Sequence, residues 1–381
     1  MERYFYKCET PIVLEAGGVL EDLEICYYAS CPAVQGRKVI WITHALTANA
    51  DPSEWWDTLV GPGLFFDTDR YFVICANMLG SCYGTRAVWK PFSSRSARET
   101  SGEPLSVGPT DPLSDAFPII TFRDMVIAHE ALRKHLGIEK IDLIVGGSSG
   151  GFQALEWVIM NPDLIERACF LAMNARVSPC CTAWEESQRM VLRADSSFVG
   201  HCREVAERRN DGIPIGGNAA LDDGAVPYGT AGLAAARSIG LISYRSYSGY
   251  ELTQFEKDDD VLMARRAVTY QQYQGEKLVR RFDPFSYYLI ANTVDTHNVG
   301  RGRGGVEKAL SGIKARVLCI GIDSDGLFPP EENRFLADCC TGTESEYATI
   351  SSSFGHDGFL LEHAQISAAI SKWCPWLSRA H

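Results

Sequence analysis

Five short runs along the chain are apolar with almost no polar interruption: 38–42 (KVIWI), 71–75 (YFVIC), 141–145 (IDLIV), 168–172 (ACFLA) and 315–320 (ARVLCI). A strand with one face in water alternates apolar and polar positions. A run that is apolar at both parities is buried on both faces, as in a parallel sheet covered by helices. Between the runs the period changes. Residues 121–136 (TFRDMVIAHEALRKHL) place Met125, Ala128, Leu132 and Leu136 on one stripe, and Gly137 follows as a stop. A second helix is expected over 151–160, closed by Asn161-Pro162, and a further strand over 346–350 (EYATI). Strands alternating with helices predict an α/β class domain with a mostly parallel central sheet.

From about 176 to 298 the strand runs vanish and the pattern becomes helical with polar loops, including a Gly- and Asp-rich stretch at 210–228. After 305 the strand and helix rhythm resumes. The expected organisation is a core built from 1–175 and 299–381, with 176–298 inserted as a helical cap. Residues 85–117 stand apart: polar, proline-bearing and carrying Arg86, Lys90, Arg95 and Arg98. A loop of that length inside a domain usually serves a function.

Composition narrows the classes. A chain of 381 residues, 46% hydrophobic and 22% charged, can bury a large core without disulfide or metal staples. The formal net charge of -12 argues against a nucleic-acid partner. It also leaves any anionic substrate dependent on local positive charge. The 13 cysteines are odd in number, include the adjacent pairs Cys180-Cys181 and Cys339-Cys340, and form no C-x-x-C. They read as small buried residues of a reducing compartment, and no zinc-type spacing is present. The start has no basic region leading into an apolar one, and no run approaches the ~18 apolar residues of a membrane span. A cytoplasmic protein without a membrane partner is expected.

The chemistry concentrates after the third run, at 145–151 (VGGSSGG). A nucleophile elbow reads G-x-S-x-G, and the stretch fits twice, with Ser148 or with Ser149 at the centre. The corner between strand and helix is sharp, so its flanking residues must be small. With Ser148 central, Gly146, Gly150 and Gly151 occupy the crowded places; with Ser149 central, Phe152 would take the last of them. Sterics favour Ser148.

A triad on this fold follows the order Ser, acid, His. Asp323 and Asp325, in 321–330 (GIDSDGLFPP) after the fifth run, are both candidate acids. His356, in the glycine-flanked loop Gly355-His-Asp-Gly358, is the candidate base, whereas His129, His135 and His363 lie on helices and read as surface or packing residues. An oxyanion hole needs two backbone donors. The loop 43–48 (THALTA) supplies one, best from Leu46, and the N–H of Ser149 supplies the other. The run 300–305 (GRGRGG) lacks the lysine and hydroxyl of a P-loop and reads as a turn re-entering the core.

At this point the chain resembles the homoserine O-acetyltransferase family of α/β-hydrolase-fold acyltransferases. The resemblance rests on HALTANADPSEWW, DTDRYFVICANMLGSCYG, FPIITFRDMV, VGGSSGGFQALEW, GLAAARSIGLISYRS, YQQYQGEKLVRRFDPFSYY, HNVGRGRGG, GIDSDGLFPP and SSSFGHDGFL, in the family's order over most of the chain. It implies Ser148 as nucleophile, Asp325 as acid and His356 as base, with Arg237 on the substrate carboxylate, Asp357 on its ammonium group and Tyr244 nearby. It implies a ping-pong transfer of an acetyl group from acetyl-CoA, a co-substrate rather than a bound cofactor, to L-homoserine, and a homodimer formed through the cap.

Two departures accompany it. The family usually has methionine after the nucleophile, where this chain has Ser149. After Gly84 the family continues with a short S-T-G-P-rich segment, and here Thr85-Arg-Ala-Val-Trp-Lys-Pro-Phe runs longer, at a position that could reshape the acyl-donor entrance. The alternatives are a succinyl-CoA-dependent or serine-directed transferase and an esterase of the same fold.

Overall fold

The computed structural model describes residues 1–92, 113–217 and 228–377. Arg95 and Arg98, and most of the loop expected at 210–228, lie outside them. The apolar runs form strands buried at both parities, as the patterning requires. Val39–Thr43, Phe72–Ala76 and Leu143–Gly147 are buried at every position. Ile40 and Ile42 pack with Val73, Val145 and Ile370 on one face of the sheet. Val39 and Trp41 pack with Ile74, Ile144, Leu132 and Trp157 on the other. Each such side chain contributes on the order of 1.5–3 kcal/mol by leaving water, which makes the sheet the rigid part of the molecule.

Six strands run parallel in the order Phe72–Ala76, Val39–Thr43, Leu143–Gly147, Arg167–Leu171, Arg316–Ile322 and Ser345–Ile350. Beyond Phe72–Ala76 the sheet turns antiparallel. Val19–Ala29 pairs there, and it also receives Glu2–Lys7, Ile12–Val13 and Arg86–Lys90. Patterning does not find Val19–Ala29, because its alternation is broken by a register shift between Glu21 and Glu24 where Asp22 takes a φ of 49°.

Two segments depart from expectation. The stretch read as a polar loop from 85 begins as the strand Arg86–Lys90, with Ala87 and Trp89 facing inward. Its charges are used locally, Arg86 on Glu24 at 2.9 Å and Lys90 on Glu21 at 2.7 Å. The insertion is not wholly helical either. Its strand Ile213–Gly216 pairs antiparallel with Arg86–Lys90 and extends the sheet.

The other regular elements described in the insertion are helices, from Pro179–Ala194 to Pro284–Asp295. Its expected ends, Arg176 and Asn298, face each other in an isolated antiparallel bridge. The following GRGRGG turn is anchored on core carboxylates, Arg301 on Glu15 at 2.7 Å and Arg303 on Glu156 at 2.8 Å. All thirteen cysteines are free and most are buried. Burial holds the Cys75 and Cys319 thiols well above their usual range, so they act as packing residues. Among the described residues no helix is long and apolar enough to cross a membrane, and no cluster of His, Cys, Asp or Glu is arranged to hold a metal ion.

Candidate active site

Thr43 sits opposite Gly146, and Leu171 opposite Gly147, so three strands end side by side and their following loops are neighbours. After Gly147 the chain turns at Ser148 with φ 56° and ψ −133°, and the helix Ser149–Met160 starts at once. A positive φ on a residue with a side chain costs about 1–3 kcal/mol. The Ser148 N–H donates to Leu171 O at 3.0 Å and helps hold the corner in place.

The glycine spacing has a direct cause. A Cβ on Gly146 would meet Thr43 Oγ1 at 2.1 Å, one on Gly150 would meet Thr43 O at 2.2 Å, and one on Gly151 would meet Met173 Sδ at 2.4 Å. Ser148 is therefore the corner residue, while Phe152 is free to bury its ring against Phe328 and His297. Ser149 opens the helix, and its buried Oγ has no hydrogen-bond partner among the described residues.

The two candidate acids separate clearly. His356 Nδ1 lies 2.8 Å from Asp325 Oδ2, and Asp325 Oδ1 accepts from the N–H groups of Leu327 and Phe328 at 2.8 and 2.9 Å. Asp323 braces the histidine loop instead, accepting from Ser352 N at 3.0 Å and Ser351 Oγ at 2.7 Å. His356 is itself buried between the rings of Phe328 and Phe359.

The loop after Val39–Thr43 carries Leu46 to the same place. It is braced by His44, whose Nε2 accepts from the Met78 N–H at 3.0 Å while Nδ1 lies 3.0 Å from Ala45 O. Burial pushes the His44 imidazole down to about 4, so it stays neutral and fits those bonds as one tautomer. From the cap side, Arg281 Nη1 donates to Thr47 O and to Tyr83 Oη, both at 2.6 Å.

Ser148, His356, Leu46, Arg237, Tyr244 and Asp357 line one cavity of about 640 Å³. Of the predicted site residues, Asp325 and Ser149 stand behind its wall. The Arg237 guanidinium lies 5.6 Å from the centre of the Tyr244 ring. The Tyr244 phenol is held well above its usual range, chiefly by burial and then by Tyr287 and Glu185, so it is a neutral donor. Asp357 departs from the simplest expectation, because its Oδ2 is 2.8 Å from Arg245 Nε. Among the described lining residues four cations, Arg3, Arg237, Lys277 and Arg281, face two carboxylates, Glu54 and Asp357. The lining therefore carries more cations than carboxylates, in a chain of formal net charge -12.

The other histidines lie elsewhere. His129 packs between Trp41 and Trp157, His135 stacks on Tyr6, and His363 Nε2 lies 2.8 Å from Leu360 O. Sequence reasoning assigned no role to Arg245, Lys277 or Arg281. Each belongs to a helical stretch whose basic residues look like solvated ones until the cap is folded over the sheet.

Residues 38–216 match the model of the α/β hydrolase fold family. The homoserine O-acetyltransferase of Cyclobacterium marinum is 37% identical over 372 residues, covering 96% of this chain and 93% of that protein. The crystal structure of homoserine O-acetyltransferase from Bacillus anthracis superposes with a TM-score of 0.76 at 21% identity, covering 99% of this chain and 98% of that one. Esterase E22 gives 0.73 at 19% identity, covering 99% and 100%. At such identities these structures speak for the fold alone.

Proposed function

The chain belongs to the homoserine O-acetyltransferase family and is an acyltransferase, and we propose that it moves an acetyl group from acetyl-CoA to the γ-hydroxyl of L-homoserine through an acyl-Ser148 intermediate. The observation that carries this reading is the corner residue Ser148 lining one cavity with His356, whose Nδ1 is bonded to the buried Asp325.

In the first half-reaction the free Nε2 of His356 takes the Ser148 Oγ proton as Oγ attacks the thioester carbonyl. The N–H groups of Leu46 and Ser149 receive the developing oxyanion, aided by the N-terminus of the helix Ser149–Met160. Collapse breaks the C–S bond, and the leaving thiolate takes the proton from His356. In the second half-reaction His356 takes the acceptor hydroxyl proton, the alkoxide attacks the acyl-Ser148 carbonyl, and the proton returns to Ser148 Oγ as the ester leaves. Asp325 orients the imidazole and stabilises its charged form.

A zwitterionic acceptor needs a cation and an anion on opposite sides of its α-carbon. Arg237 fills the first role and Asp357 the second, with Tyr244 as a neutral hydrogen-bond donor between them. The surplus of cations around the cavity, Lys277 and Arg281 included, offers the anionic donor its local positive charge. The cap also exposes Tyr247, Leu252, Phe255, Leu262 and Met263, an apolar set that fits a homodimer formed through the cap.

A thiol-release assay tests the function. Free CoA must appear with acetyl-CoA and homoserine, and faster than with succinyl-CoA or with serine. Turnover of p-nitrophenyl acetate that homoserine does not accelerate would instead make the protein an esterase.

A further inference from the structure

The cap does more than cover the cavity. Its helix Thr230–Tyr244 ends at Arg245, and Ser246 caps the next helix, Tyr247–Gln254, by accepting from Gly249 N at 3.0 Å. The short corner between them is pressed against the loop that carries His356. Ser246 Oγ donates to Ser353 O, and Ser248 Oγ lies 3.3 Å from the same oxygen. Gly355 takes a φ of 65°, and a Cβ there would meet Ser246 N and Tyr244 O, each at 2.8 Å. Arg245 spans the junction, its guanidinium 5.3 Å from the centre of the Phe354 ring and its Nε 2.8 Å from Asp357 Oδ2.

The loop therefore has two separate anchors. Its first part is held by the core, through Asp323 to Ser351 and Ser352 and through Ser324 to Ser352 O at 2.5 Å. The core also holds Gly355, whose N–H donates to Ser324 Oγ at 3.0 Å, and His356 through Asp325, whereas the Asp357 carboxylate beside the base is held from the cap. We infer that Arg245 is a positioning residue: it fixes the Asp357 carboxylate through Oδ2 and turns Oδ1 toward the acceptor's ammonium group. The cap thus assembles both charges of the acceptor site, Arg237 directly and Asp357 through Arg245.

Two features of the pair suit this role. Both side chains are only partly exposed, at 22% and 15%, so solvent screens the pair less than it would on an open surface. An arginine and a lysine both supply the charge that attracts a carboxylate, but only the planar guanidinium adds a fixed direction, so a lysine should replace part of the effect and not the whole of it.

The inference rests on Asp357 being the ammonium ligand, and the experiment separates the two claims. Acylation is read as the burst of p-nitrophenol from p-nitrophenyl acetate, and acceptor binding as the KM for homoserine. Arg245→Gln should raise that KM by about tenfold, as expected for losing a partly buried ion pair, while the burst rate stays within about twofold. Arg245→Lys should recover only part of the loss, since it restores the charge without the fixed direction. Asp357→Asn should raise the KM at least as much, and adding Arg245→Gln to it should cost nothing further, since the arginine acts through that carboxylate.

An unchanged KM in Arg245→Gln beside a raised one in Asp357→Asn overturns the positioning role and leaves the acceptor reading standing. A burst slowed as much as the transfer overturns it too, because Arg245 would then be holding the triad. An unchanged KM in Asp357→Asn sinks the acceptor reading and the inference with it. Should Arg245→Gln not fold, the same cycle run with Arg245→Lys decides, since its effect on KM must vanish in the Asp357→Asn background.

Discussion

The two walls of the cavity are built by different means. On the core side, Ser148, Leu46 and, behind them, Asp325 stand within three residues of strand ends, and backbone hydrogen bonds and buried glycine contacts hold them in place. On the cap side, Arg237 and Tyr244 line the cavity from the middle and the end of one helix, with Arg245 just beyond it, all three half-buried and held by ring contacts and an ion pair. A bond-making step tolerates little displacement of its reacting atoms, and strand ends provide that rigidity. Recognition of a charged, flexible acceptor needs long side chains whose reach can be tuned, and an insertion supplies them without disturbing the sheet. Under the proposed function, the step at the serine belongs to the core and the choice of who receives the acyl group belongs to the cap.

Ser148→Ala strikes the core wall hardest. It should lower turnover by about 10⁴-fold or more and abolish the nitrophenol burst, and full activity in that variant would refute the assignment. Gly150→Ala tests the crowding behind the corner. Its methyl group would lie 2.2 Å from Thr43 O, so the turn must shift. A loss of about 1–3 kcal/mol of stability is expected in urea titration, with the burst lost as well.

Arg237→Gln tests the cap wall by itself. The homoserine KM should rise about 10–100-fold while the acyl-enzyme forms at the parental rate. Equal losses in both half-reactions would erase the division between the walls.

The smallest effect concerns the foundation of the cap. Glu185 is buried in the helix Pro179–Ala194, and desolvation pushes its carboxyl up to about 8, against the partial relief given by Arg189. In the unfolded chain it titrates near 4.3. Between those values the folded state binds a proton that the unfolded state does not. The stability this lends is full below about 4.3 and is lost as the pH rises through about 8. Glu185→Gln keeps the shape without the titration, so its melting temperature should gain on the parent between pH 6 and pH 9. Parallel pH profiles would show that Glu185 is ionised throughout.

The sequence by itself determined the sheet and most of the core wall. Strands buried at both parities are visible as apolar runs, and a strand, a glycine-flanked serine and a helix make a local motif. The rule that selected Ser148 over Ser149 was steric, and the contacts behind Gly146, Gly150 and Gly151 give its cause. Patterning failed where an element depends on a distant neighbour. Val19–Ala29 is hidden by its bulge, Arg86–Lys90 is a strand because Val19–Ala29 accepts it, and Ile213–Gly216 is one because Arg86–Lys90 does. Local spacing left Asp323 and Asp325 equal. Only the tertiary structure put one on the imidazole and the other on the loop, since strand twist and loop path decide which carboxylate reaches Nδ1. The ion pair of Arg245 with Asp357 joins residues 112 positions apart on two different layers. No periodicity records such a contact, because it exists only once the cap has closed over the ends of the strands.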